Sequence, residues 1–262
     1  MYCFEHIPKT AGTSINSVFQ NYYRDRAFNF PKDSITNIPK HTEMLYGHRA
    51  YRTVLLNQYP GVSYLTMVRD PVELVKSHFG HLSRGLSLPH YYRIHLKKMN
   101  LKDYVEKQIF KDFDNGMVRR FSNMDFKYGK CSQSHLDVAL ENLDKYVFIG
   151  VQEKFNESVF SLSKILGFDR HPVYIKSNVH VDNTRKCSSK YDEFLASRLE
   201  YDIKLYKHCV DKFDKCFDMS RDSEEYLRFL EIQKNVDNID IGSVCDSSLR
   251  KILKARLKKY IV

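Results

Sequence analysis

The sequence predicts an α/β fold, a parallel sheet flanked by helices, on three observations. Apolar runs at residues 2–7 (YCFEHI), 63–68 (SYLTMV) and 147–151 (VFIGV) have strand length and lack polar alternation, as strands buried on both faces do. Each run is followed by a segment whose apolar residues recur at three- and four-residue steps, the period of a helix packed on one side. Strand and helix candidates alternate along the chain instead of clustering by type, which is the pattern of β–α–β units.

The elements follow in order. The first run ends at Pro8, and Ile15, Val18, Phe19 and Tyr22 then repeat at helical spacing, with Thr13 or Ser14 as the expected N-cap. Residues 28–43 are polar and carry no element, and a short segment spans 44–48. Arg69-Asp70-Pro71 closes the second run, and Pro71 suits the first turn of a helix bearing Val72, Val75, Phe79 and Leu82. Helical pieces are expected near 101–110 and 133–143, and again at about 157–166 with Gly167 as a stop. Leu195, Leu199, Ile203, Tyr206, Val210, Phe213 and Phe217 predict one long helix. The chain divides into a main domain over 1–220 and a helical C-terminal extension over 221–262. The extension holds two helices, 223–236 and 246–260. The second is basic and amphipathic and is expected to dock on the body, a peripheral membrane contact being the alternative.

Composition narrows the class. The chain has 262 residues, 42% of them hydrophobic, with 42 Lys and Arg against 32 Asp and Glu for a net charge of +10. That excludes collagen, low-complexity and largely disordered chains. The six cysteines form no C-x-x-C pair, so no metal site is expected; all six are read as reduced packing residues, Cys209 and Cys216 lying seven apart on one helix face. No run approaches the roughly 18 apolar residues of a membrane span, and polar residues interrupt MYCFEHIPKT, so a cytoplasmic protein is expected. The positive charge favours an anionic ligand. No zinc-finger, RRM or basic-zipper pattern is present, and nucleic acid is not expected as a partner.

Two strand–helix junctions carry chemistry. Pro8-Lys9-Thr10-Ala11-Gly12-Thr13-Ser14 is a small, Gly-containing turn that leads N–H groups into a helix N-terminus, where the dipole favours an anion. A nucleotide-triphosphate loop needs a lysine just before the Ser or Thr, whereas here Lys9 precedes the glycine. At the second junction Arg69 brings a guanidinium fork that matches phosphate geometry.

FEHIPKTAGTSI, residues 4–15, resembles the 5′-phosphosulfate loop of sulfotransferases, and VRDPVELVKSHF, residues 68–79, resembles their 3′-phosphate motif. Within that superfamily the chain is most similar to the carbohydrate O-sulfotransferases that include the heparan sulfate 2-O-sulfotransferases. Their Tyr-His-Gly-His segment stands here as Leu45-Tyr46-Gly47-His48, so only His48 carries over. VFIGVQEKF, 147–155, resembles a later strand and turn of that subgroup, and the likeness spans about residues 2–215.

The resemblance implies the P-loop-like sulfotransferase fold. It implies 3′-phosphoadenosine 5′-phosphosulfate (PAPS) as donor, 3′-phosphoadenosine 5′-phosphate (PAP) as product, and no metal. Lys9, Thr10, Ala11, Gly12, Thr13 and Ser14 would hold the 5′-phosphosulfate, with Lys9 also stabilising the leaving oxygen. Arg69 and Ser77 would grip the 3′-phosphate. His48 would be the general base toward a carbohydrate hydroxyl, with His6 and His78 as rivals. Lys176, Asn183 and Arg185 mark a late loop expected to close over the donor. Arg49, Arg52, Arg84 and Tyr91 flank the site and suit a glycan acceptor, acidic or neutral, and a bacterial enzyme acting on a cell-surface saccharide is expected. The competing classes are a P-loop kinase-like phosphotransferase and a non-catalytic basic glycan-binding protein.

Overall fold

The central strand of the sheet is the first one in the chain. β1 (Tyr2–Glu5) has Cys3 and Phe4 wholly buried, because it is paired on both edges and covered on both faces. The computed structural model describes residues 1–29, 38–47, 61–84, 88–174 and 191–237. On one edge β1 pairs in parallel with β3 (Met44–Gly47), in register Tyr2↔Met44 through Glu5↔Gly47. On the other it pairs in parallel with β4 (Ser63–Val68), in register Tyr2↔Ser63 through Glu5↔Thr66. β2 (Ala27–Asn29) lies outside β3, and β5 (Tyr146–Val151) lies outside β4, giving five parallel strands in the order β2-β3-β1-β4-β5. The three expected strands are all present, and Met44–Gly47 of the short segment form a fourth. β2 was not anticipated: three residues with no fully buried side chain leave too short a signal in a polar stretch.

Helices cover the sheet. α1 (Gly12–Tyr23) buries Ile15, Val18, Phe19 and Tyr23. α2 (Pro71–Ser83) begins as its sequence demands: Pro71 stands at the first position and the Asp70 carboxylate accepts the Glu73 N–H at 2.9 Å. α3 (Leu88–Tyr91) runs into a π-helical turn over Tyr92–Leu96, and α4 (Leu101–Glu106) follows with an Asn100–Asp103 capping box. α5 (Gly116–Ser122), α6 (Gln133–Leu143) and α7 (Phe155–Ile165) complete the layers around β5, and Gly167 takes the left-handed φ of +67° that stops the last of them. α10 (Glu224–Asp237) places Tyr226 and Phe229 in the main core, and its Gln233 amide exchanges hydrogen bonds with the Tyr174 backbone. No helix among the described residues is long and apolar enough to cross a membrane.

The expected single helix over 195–217 is two: α8 (Asp192–Arg198) and α9 (Glu200–Phe217). One side chain makes the break. The Asn115 carbonyl accepts the N–H groups of Tyr201 and Asp202 at 3.1 and 2.9 Å, while its amide donates to the Arg198 carbonyl at 3.1 Å. A continuous helix would have closed the Asp202 N–H on the Arg198 carbonyl. Asp202 returns the favour, its carboxylate accepting from the Met117 and Val118 N–H groups at the start of α5 at 3.1 and 2.8 Å. Burial pushes the Asp202 carboxyl up to about 7, against the pull of those two donors.

Of the cysteines, Cys3 and Cys209 are buried and Cys131 is half-buried, but Cys216 is exposed. The buried line of α9 runs Asp202, Leu205, Cys209, Phe213, Phe217. Stepping mostly by four, it drifts around the helix and takes Phe217, leaving Cys216 in solvent; the packing expectation for that residue is corrected.

Candidate anion-binding site

Parallel strands end together, so the loops that leave β1 and β4 emerge side by side at the carboxyl edge of the sheet, where open α/β sheets hold their ligands. The β1 loop turns back on itself through two non-glycine residues in the left-handed region, Lys9 (φ +70°) and Ala11 (φ +57°). Between them Thr10 is buried, and its hydroxyl donates to the Ile7 carbonyl at 2.8 Å. Left-handed residues in such a loop favour a concave nest of N–H groups; here the Thr10 N–H is itself taken by the Ile7 carbonyl at 3.4 Å, which leaves the N–H groups on either side to line the concavity. The chain then enters α1. Ser14 and Ile15 donate back to the Ala11 carbonyl at 3.0 and 3.2 Å.

The helix therefore starts earlier than expected. Its N-cap is Ala11, not Thr13 or Ser14; no side chain caps it, and no acidic residue stands in its first turn. Thr13 is exposed in that turn and Ser14 is buried. An uncapped N-terminus with no carboxylate beside it presents its dipole to an external anion.

The second junction reaches the first. Arg69, leaving β4, is 12% exposed and its Nη1 donates to the Lys9 carbonyl at 3.0 Å. Glu73 and Glu153 lie at 4.0 Å from the guanidinium, and Glu153 also accepts the Asp70 N–H at 3.1 Å and the Tyr206 hydroxyl at 2.9 Å. Lys9 is half-buried. Burial, and then the positive charges of Arg84 and Arg69, hold its ammonium below the usual lysine range. Among the described residues no carboxylate pairs with it. Lys9 and Arg69 thus meet at the loop that leads into α1, where the positive charge of Arg84 is also felt by Lys9.

Ser77 lies partly buried on α2, two turns beyond Arg69. Arg84 is exposed just past the end of that helix, and Tyr91 is 45% exposed on α3 with its ring 4.5 Å from that of His95. The π-helical turn is tied to the same corner, His95 Nε2 lying 2.6 Å from the Ser83 carbonyl. His48, Arg49 and Arg52, and likewise Lys176, Asn183 and Arg185, fall outside the described residues. β3 stops at Gly47, whose carbonyl accepts the His6 N–H at 3.0 Å. Tyr46, which stands where the subgroup has its first histidine, is buried and accepts from Gln20 Nε2 at 2.8 Å. Its part is in packing.

One neighbour of the loop was not anticipated from the sequence, Glu5, and another, His6, was named only as a rival base. Glu5 is a buried carboxylate at the end of β1; it accepts the Tyr146 hydroxyl and lies 3.8 Å from Arg120. A lone acid inside an apolar strand was the available signal. His6 is buried with its ring on Gly12, a contact that no spacing rule reveals. The remaining rival, His78, stacks edge-on against Phe110 and Phe113.

The geometry can hold a phosphate or sulfate group against the nest and the α1 N-terminus. No protein-family model matches this chain, and no curated protein matches it.

Proposed function

We propose that the protein is a PAPS-dependent sulfotransferase acting on a carbohydrate hydroxyl. The observation that carries the reading is the Arg69–Lys9 contact, which brings side by side the two sequence motifs that resemble the 5′- and 3′-phosphate motifs of sulfotransferases. The loop, the bare helix start and Lys9 suit the 5′-phosphosulfate end of such a donor, with Arg69 and Ser77 toward its 3′-phosphate. The donor supplies a sulfuryl group activated by its bond to phosphate.

Lys9 balances the charge that grows on the departing phosphate oxygen. His48 takes the proton from the attacking hydroxyl. The new S–O bond forms to the sugar as the old one to phosphate breaks, and PAP leaves. The strand order agrees with a P-loop-like sheet, and the kinase alternative is disfavoured because Gly12, not lysine, precedes Thr13.

On the acceptor side, Arg84 and Tyr91 open a segment rich in Tyr, Arg, His and Lys. No acidic residue occurs between Glu73 and Asp103. Tyr91, Tyr92 and Leu96 are exposed there, and such a ledge suits a saccharide that offers ring faces and anionic groups.

The test is calorimetric titration with PAP, followed by turnover of labelled PAPS over acidic and neutral glycans. Wild type should bind PAP, and Lys9→Ala and Arg69→Ala should each weaken it at least tenfold, since each removes a charge facing phosphate. His48→Ala should bind PAP normally and lose at least tenfold in turnover. Absence of PAP binding, or magnesium-dependent hydrolysis of ATP instead, overturns the assignment.

A further inference from the structure

We propose that His6 is a positioning residue that props the donor loop in its anion-binding shape and ties it to the end of β3; this rests on the donor reading above. The ring of His6 lies directly against Gly12. A methyl group built on Gly12 would sit 1.7 Å from Nε2, 2.0 Å from Cε1 and 2.3 Å from Cδ2 of the imidazole. The glycine is therefore required by the ring and not by its own backbone, since Gly12 is absent from the positive-φ glycines and lies in the first turn of α1.

Support for the loop is needed. Lys9 and Ala11 hold left-handed conformations that cost about 1–2 kcal/mol each for residues with a Cβ, and such conformations persist only where surroundings over-determine them. One restraint is the buried Thr10 hydroxyl on the Ile7 carbonyl. A second is Arg69 Nη1 on the Lys9 carbonyl, and a third is the imidazole, which lies against Gly12 in the first turn of α1 and fixes where the loop enters it. The same residue is anchored from the opposite side, its N–H held by the Gly47 carbonyl at 3.0 Å. Residue 48, the base in the reading above, is next in the chain. His6 thus links the loop that would hold the donor to the strand end that leads to the base.

A double-mutant cycle with PAP as the probe tests this. Gly12→Ala alone drives the methyl into the ring, and PAP affinity should fall at least tenfold. His6→Ala removes the prop, and affinity should fall about fivefold, while the pH profile of turnover keeps its shape because no proton-transfer group has been lost. In the His6→Ala background Gly12→Ala should cost nothing further, because the methyl occupies the vacated space; the double variant binds at least as well as Gly12→Ala. Thermal midpoints of the four proteins without ligand should show the same non-additivity, which keeps the test readable if one variant is poorly folded. Penalties that multiply, or His6→Ala binding PAP as tightly as wild type, overturn the inference alone. Wild-type protein that takes up no PAP overturns the donor reading and this inference with it.

Discussion

Lys9 is a half-buried cation with no carboxylate paired to it among the described residues. Burial and the guanidinium groups of Arg84 and Arg69 lower its pKa in the free protein. An anion bound beside it would restore the charged form, so the bound pKa is the higher of the two. Affinity is then complete below the free value and falls as pH rises through it, with net proton uptake wherever Lys9 is partly neutral. PAP affinity should therefore decline as pH rises toward the ordinary lysine range, and calorimetry over that alkaline limb in buffers of different ionisation enthalpy should register the proton. Lys9→Arg, whose guanidinium stays charged above about pH 12, should flatten the profile. A wild-type affinity that is level across this range would contradict the electrostatic account of the site.

The reciprocal caps of α5 and α9 are the most consequential joint between elements. Asp202→Ala leaves the Met117 and Val118 N–H groups buried without an acceptor and should cost about 3 kcal/mol in chemical denaturation, with an unchanged slope. Asn115 and Asp202 lie far apart in sequence, so periodicity alone reads 195–217 as one helix; the apolar stripe is indeed continuous, and only the distant amide breaks the backbone. The same limit governs α1, whose N-cap falls on Ala11 because the left-handed loop delivers the chain into the helix early, whereas local propensity favours Thr13 or Ser14. By contrast the Asp70-Pro71 start of α2 and the Gly167 stop after α7 are legible at once, because each is decided by residues adjacent in the chain. Strands β1, β4 and β5 are legible from unbroken apolar runs, while β2 lacks the length to give one. Within the site, Lys9 and Arg69 can be picked out by residue type and position at strand ends. Their convergence cannot, since it depends on β1 and β4 being neighbours.

At the scale of the molecule, a net charge of +10, with Lys9 and Arg69 in contact at one sheet edge, favours the approach of anions to that edge. Raising salt from about 0.05 to 0.5 M shortens the screening length from over 10 Å to a few ångströms and should weaken PAP binding by roughly tenfold. Salt-insensitive binding would place the ligand away from this edge. The strand order carries a further consequence. β1 sits between β3 and β4 yet precedes both, and β4 ends at Val68. During synthesis the central strand must leave the ribosome with neither neighbour yet made, and at about 5–20 residues per second it waits roughly 3–13 s for the second. Its Cys3 and Phe4 side chains, and Ile7 just beyond it, spend that interval uncovered, so ribosome-associated chaperones should meet the nascent chain before its fold is sealed, and slowing translation ahead of residue 68 should lower the yield of native protein.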